Sequence, residues 1–151
     1  MKKIIVVSDS HCDTYTLKHI ANIHPDALAY LHAGDSQDYE INLYPFVTVK
    51  GNNDYYITQD SKILNIEFLK IYLTHGHKMI LTEQNMVQKA KNADCNMFIF
   101  GHTHRPFYQE VDGVHLLNPG STNFSRSPVG QTYAIITLKD DQKIDVTFET
   151  I

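Results

Sequence analysis

With 151 residues, 42% of them hydrophobic and 20% charged, the chain has the balance of a soluble globular protein. It is long enough to bury one proper core, and residues 1–151 read as a single domain. A formal net charge of −4 excludes an extended basic face for nucleic acid, and no run of like charges marks a tail. Cys12 and Cys95 form no CxxC pattern and no disulfide framework, as in a reducing compartment. After the basic Met1-Lys2-Lys3, the apolar run Ile4 to Val7 is too short for a signal peptide or a membrane span. The expected location is the cytoplasm.

Lys3 to Val7 predicts a strand at the centre of a parallel sheet covered on both faces. It runs into Ser8-Asp9-Ser10-His11. Thr14 or Thr16 caps a helix reaching about Ile23, with Leu17, Ile20 and Ala21 on its inner face, and His24-Pro25-Asp26 breaks it. Ala27 to Leu31 predicts a second strand, ending in His32-Ala33-Gly34-Asp35. Phe46 to Val49 predicts a third, ending in Lys50-Gly51-Asn52-Asn53-Asp54. Ile63 to Phe68 and Ile71 to Thr74 read as two strands around a tight turn, the second entering His75-Gly76-His77. Leu81 to Ala93 reads as a helix.

Met97 to Phe100 is another short, continuously apolar strand, and it leads into Gly101-His102-Thr103-His104. Two hairpins follow: Phe107 to Val111 with His115 to Leu117 around Asp112-Gly113, then Tyr133 to Leu138 with Ile144 to Phe148. Strands alternate with helices early, and antiparallel strands dominate late. The polar loop 121–130 borders the candidate site.

Metal-ligand residue types therefore collect at strand C-terminal ends: Asp9, His11, Asp35, Asn52, His75, His102 and His104. Ligands of open α/β sheets sit beyond those ends, so these groups are positioned to converge. Two carboxylates, four imidazoles and one amide are too many for one catalytic metal with an open position. They suit two ions sharing a carboxylate. Mixed nitrogen and oxygen donors favour a divalent transition metal, manganese first and zinc, iron, cobalt or nickel as alternatives.

The set Asp9-Ser10-His11, Gly34-Asp35, Gly51-Asn52-Asn53-Asp54, His75-Gly76-His77 and Gly101-His102-Thr103-His104 resembles the calcineurin-like metallophosphoesterase superfamily. The short chain and Asn118-Pro119-Gly120-Ser121 look most like its small bacterial and archaeal phosphodiesterase branch. The resemblance implies a four-layer α/β/β/α sandwich. It also implies that Asp9, His11 and His104 hold one metal, that Asn52, His75 and His102 hold the other, and that Asp35 bridges them. The implied activity is hydrolysis of small or nucleotide-like phosphodiesters by a hydroxide shared between the metals.

One departure from that pattern bears on the substrate. Many relatives carry a histidine after the asparagine ligand, able to protonate the leaving oxygen, whereas here the position is Asn53. General-acid help is worth about 10²–10⁴-fold, so alkyl monoesters suffer most from its loss. His77 is the alternative proton donor; its other reading is a residue that orients a ligand. The catalytic candidates are thus Asp35, Asn52 and His77.

Blander readings cover the remaining residues. His19, His24, His32 and His115 match no motif, and Cys12 reads as a small buried thiol. Asp54 shapes its loop or bonds to a ligand, and Arg105 and Arg126 are candidate phosphate contacts. Tyr39, Tyr44, Tyr55 and Tyr56 line a cleft or, by preference, pack in the core or loops. Two other functions compete: a phosphomonoesterase using His77, and a binding module like the related retromer subunit of eukaryotes. The expected partner is a small phosphate ester, with no membrane; a homo-oligomer is compatible with the sequence.

Overall fold

The computed structural model describes residues 1–151 and contains two five-stranded sheets. The first has the order β10-β9-β1-β2-β3, with β1 at Lys2–Val7, β2 at Ala29–His32, β3 at Phe46–Thr48, β9 at Thr132–Leu138 and β10 at Ile144–Thr150. The second has the order β4-β5-β6-β8-β7, from β4 at Ser61–Ile66, β5 at Leu69–Thr74, β6 at Met97–Ile99, β7 at Pro106–Val111 and β8 at Val114–Pro119. Helix α1 spans Thr14–Ile23 and α2 spans Glu83–Asn92.

Alternation along β1 sets the layers. Ile4 and Val6 point between the sheets, where they join Leu31, Ile71, Leu73, Met97 and Ile99 in a fully buried cluster. Ile5 and Val7 point outward onto Leu17, Ile20 and Ala21 of α1. On the far side, Phe98 and Leu116 pack against Met86, Val87 and Ala90 of α2. The result is the four-layer α/β/β/α sandwich.

Several local expectations need correction. β1 lies in a mixed sheet, parallel to β2 but antiparallel to β9, because the last hairpin adds its own strand beside it. The cap of α1 is Asp13, whose carboxylate accepts from the Thr16 amide and hydroxyl. An acceptor one residue before the helix reaches those orphan donors better than Thr14 or Thr16, already inside it. Residues Glu40–Leu43 form a 3-10 helix that the sequence pattern did not predict; its Leu43 plugs the α1 layer. Asn118-Pro119-Gly120-Ser121, whose asparagine, proline and glycine are turn-forming residues by sequence, places Asn118 and Pro119 at the end of β8 instead, and the chain turns at Gly120.

Candidate metal centre

The C-terminal ends of β1, β2, β3, β5 and β6 lie side by side, and the loops that leave them carry every ligand candidate. Five of the seven have left-handed backbone: Asp9, His11, Asp35, His102 and His104, with φ of 54°, 43°, 62°, 71° and 60°. Such strain concentrates at functional sites and persists only where the surroundings over-determine it. Two glycines permit the close approach. A Cβ on Gly51 would stand 2.1 Å from Asp35 Oδ1, and one on Gly101 would stand 2.0 Å from Ser8 Oγ.

Three imidazoles are aimed inward by their Nδ1 atoms. His75 donates from Nδ1 to the Ala33 carbonyl at 2.8 Å, and His104 donates to the Phe124 carbonyl. His11 Nδ1 pairs with Gln37 Oε1 at 2.8 Å. A carbonyl oxygen accepts only, so each Nδ1 carries the hydrogen and each Nε2 offers a lone pair to the centre. His11 Nε2 and His104 Nε2 face each other at 3.4 Å, and His104 Nε2 lies 3.1 Å from Asp9 Oδ1. His75 Nε2 lies 3.4 Å from Asp35 Oδ2, 3.8 Å from Asp9 Oδ1 and 3.1 Å from Asn52 Oδ1.

The carboxylates are held just as specifically. Asp9 Oδ2 accepts from Ser8 Oγ at 2.6 Å and from the His102 amide at 3.1 Å, while Oδ1 is buried without any hydrogen-bond partner. Asp35 Oδ1 accepts from the Asn53 amide and Oδ2 from Asn53 Nδ2, both at 2.9 Å. Burial alone would raise both carboxyl pKa values. For Asp9, His104, His75 and Ser8 outweigh it; for Asp35, His75 and Asn53 do. Both are held below the ordinary carboxylate range and stay ionised. In return His104 is raised by Asp9, and His75 is raised by Asp35 and Asp9 against its burial.

Lone pairs that converge on a buried, partnerless carboxylate oxygen fit a cation. Two triads bring their ligand atoms within 4.8 Å of one another: Asp9 with His11 and His104, and Asp9 with Asp35 and His75. Asp9 is common to both. Asn52 adjoins the second triad through His75, and the His102 ring stands 5.2 Å from the His75 ring. All seven candidates are thus brought to one edge, with His102 at the margin.

His77 stands beside this group, its ring 5.4 Å from His75 and 6.5 Å from His102. Its Nδ1 is buried and has no hydrogen-bond partner. Burial, then the neighbouring His75 and Lys78, lower its pKa. Arg105 and Arg126 are exposed, and Arg126 touches the site through its amide, which donates to the His104 carbonyl at 3.1 Å. His24 and His115 are bonded to tyrosine hydroxyls away from the centre, and His19 is exposed.

Some residues play parts that the sequence pattern left open or read otherwise. Asp54 accepts from the amides of Asp35, Gln37 and Gly51, tying two ligand loops together. Ser121 Oγ donates to the Asp9 carbonyl at 2.8 Å, and Asn123 donates to the carbonyls of Ser10 and His11. Asn118 does the same for the Gly101 carbonyl at 2.9 Å. Gln37 and Asn123 carried no motif signal, although loop 121–130 was expected to border the site. Cys12 is exposed, not buried: its left-handed backbone turns it out beside Gln37. Tyr39 and Tyr56 stack on each other at 4.0 Å on the surface, and Tyr44 and Tyr55 are more exposed still, so none of the four belongs to the core.

The fold and the candidate metal ligands agree with the comparison to known proteins. Residues 1–141 match the family model of the calcineurin-like phosphoesterase superfamily domain. The chain belongs to that superfamily. It is 31% identical to the probable metallophosphoesterase YsnB of Bacillus subtilis, over 91% of this chain and 85% of that protein. A phosphodiesterase of Methanocaldococcus jannaschii is 27% identical, over 73% of this chain and 64% of its own length. The crystal structure of a predicted phosphoesterase from Streptococcus pneumoniae superposes with a TM-score of 0.90 at 28% identity, covering 99% of this chain and 89% of that one. No helix is long and apolar enough to cross a membrane.

Proposed function

We propose that the protein is a phosphodiesterase that hydrolyses small or nucleotide-like phosphodiesters at a dinuclear metal centre. The observation that carries this reading is the partnerless Asp9 Oδ1 surrounded by the Nε2 lone pairs of His11, His75 and His104. Asp9, His11 and His104 would hold one ion; Asn52, His75 and His102 would hold the other, with Asp35 between them. Two divalent ions, manganese first and zinc, iron, cobalt or nickel as alternatives, would acidify a shared water and neutralise phosphoryl oxygens.

The protein's own contribution is arrangement. Carbonyls of Ala33 and Phe124 and the Gln37 amide fix the imidazoles before substrate arrives, so charge on the transition state meets a pre-set frame. Asn53 supports the diester class in particular. Its amide and its side-chain N–H both donate to Asp35, so it anchors a carboxylate rather than serving a leaving oxygen. Esters with good leaving groups lose least at a site without that proton donor. The phosphomonoesterase reading instead requires a proton from His77, which the ratio of monoester to diester rates separates. The two free cysteines support a cytoplasmic setting.

The test is turnover of bis(4-nitrophenyl) phosphate by purified protein with and without manganese. Metal-dependent release of nitrophenol, faster than from 4-nitrophenyl phosphate, is the expected result. Protein that binds manganese and turns over neither ester would overturn the proposal.

A further inference from the structure

The polar loop 121–130 contains a single aromatic residue, Phe124. Its backbone is pinned on both sides: the amide donates to Ser121 Oγ at 2.7 Å, and the carbonyl accepts from His104 Nδ1. Ser121 in turn donates to the Asp9 carbonyl at 2.8 Å, so two metal-ligand candidates fix where Phe124 stands. The Phe124 ring meets a third, His11, edge to face, with centroids 5.4 Å apart and planes 69° apart.

Folding gains little from that ring, because Phe124 remains 59% exposed. An edge-to-face contact covers at most one face of a ring, so the other is open to a ligand. Tyr39 and Tyr56, by contrast, cover each other as a stacked pair. Arg126 stands on the same loop, its amide donating to the His104 carbonyl at 3.1 Å. Exposure alternates over residues 124–128, so Phe124 and Arg126 both extend on the solvent side. Arg126 forms no ion pair. A phenyl ring and a free guanidinium share one favoured partner, a planar conjugated ring.

Building on the diesterase reading, we propose that Phe124 is the platform on which a planar aromatic arm of the diester stacks, a nucleobase being the natural example. The stacked arm lies on the His11 and His104 side, with its phosphate among the ligand candidates. Because the backbone of Phe124 is already fixed and its side chain has few rotatable bonds, binding costs little order.

Two competing ligands test this: the methyl diester of 2′-deoxyadenosine 5′-phosphate, and its counterpart with a methoxy group in place of adenine. Stacking is expected to give the adenine compound a Ki at least about fivefold lower against turnover of bis(4-nitrophenyl) phosphate. Phe124→Leu keeps an apolar cover on His11 but cannot stack, so the ratio of the two Ki values should fall toward one. Phe124 is exposed, so the variant keeps the fold, as thermal melting checks. In Phe124→Trp the ratio should persist. The native chain has no tryptophan, so the introduced indole, excited selectively, should respond to the adenine compound alone. A wild-type ratio near one overturns the proposal. So does a ratio that survives Phe124→Leu, whether both compounds weaken equally or neither weakens. Should bis(4-nitrophenyl) phosphate not be hydrolysed, the diesterase reading fails by itself. Stacking is then read from the indole emission of Phe124→Trp, titrated with both compounds in the presence of manganese. A response to the adenine compound alone supports the platform; an equal or absent response overturns it.

Discussion

The two halves of the candidate metal centre, one around each triad, are built on different supports. In the half containing Asp35 and His75, the holders are the Ala33 carbonyl, Asn53 and Asp54, and the His75 side chain is 0% exposed. In the half containing His11 and His104, the holders are the Gln37 side chain and the Phe124 carbonyl, and the His11 side chain is 12% exposed. One half is anchored in the strand ends and the core. The other leans on surface loops, so a metal held there would be the more easily affected by changes outside the ligand set. Asp9, shared by both triads, couples them.

The largest effect expected from breaking this arrangement is at the core-anchored half. Asp35→Asn removes a carboxylate that one triad requires and is expected to lower diester turnover about 10³-fold or more. Steady-state kinetics checks it. If the chain instead served as a binding module, the same variant would leave partner binding largely unchanged.

Two further tests sharpen the role of the core. Gly51→Ala puts a methyl 2.1 Å from Asp35 Oδ1, so the Asp35 loop must shift. The expected cost is about 1–3 kcal/mol in urea unfolding, together with weaker metal binding in calorimetric titration. The buried His32 gives a pH signature. Its Nδ1 accepts from the Gly34 amide at 3.0 Å and its Nε2–H donates to Ser10 Oγ at 2.8 Å, so only the neutral ring satisfies both bonds. Burial lowers its pKa to about 4. An unfolded histidine titrates near 6.5, so between these values the unfolded chain binds more protons. Stability therefore falls as pH drops from about 6.5 toward 4, by about 2–3 kcal/mol from this residue at pH 4.5. His32→Gln keeps a donor and an acceptor but cannot ionise. Unfolding at pH 7 and pH 4.5 should show a weaker acid loss in the variant than in the native chain.

The smallest effect is expected in the surface-anchored half. Gln37→Ala frees the His11 ring without touching a ligand, and should weaken metal binding about 10–100-fold with little change in stability. Calorimetric titration with manganese measures it. A similar loss from Asn53→Ala, whose side chain holds Asp35, would show the two halves to be equally dependent on their supports.

Much of this protein was legible before any coordinates. Continuous apolar runs marked the buried strands, and at their ends stood the same few polar residue types, five times over. The helix faces of Leu17, Ile20 and Ala21 followed from their spacing. What escaped was partnership across the chain. Asn53 read as a missing proton donor and proved to be the anchor of Asp35. Asp54 read as shaping its loop or bonding to a ligand, and it does both by accepting from the Gly51 and Asp35 amides; its third partner, the Gln37 amide, carried no signal. Cys12 read as buried because thiols usually are, yet the left-handed turn that aims His11 inward sends its neighbour out.

The sequence by itself determined which strands are buried and which donor types follow them, since periodicity and residue chemistry are local properties, although it set the β4–β5 turn two residues late. Tertiary structure alone decided the rest. A carbonyl from Ala33 selects the His75 tautomer across 42 positions of chain, and Phe124 does so for His104 across 20. Hydrogen-bond partners so far apart are chosen by how two sheets stack, and no local pattern records that choice.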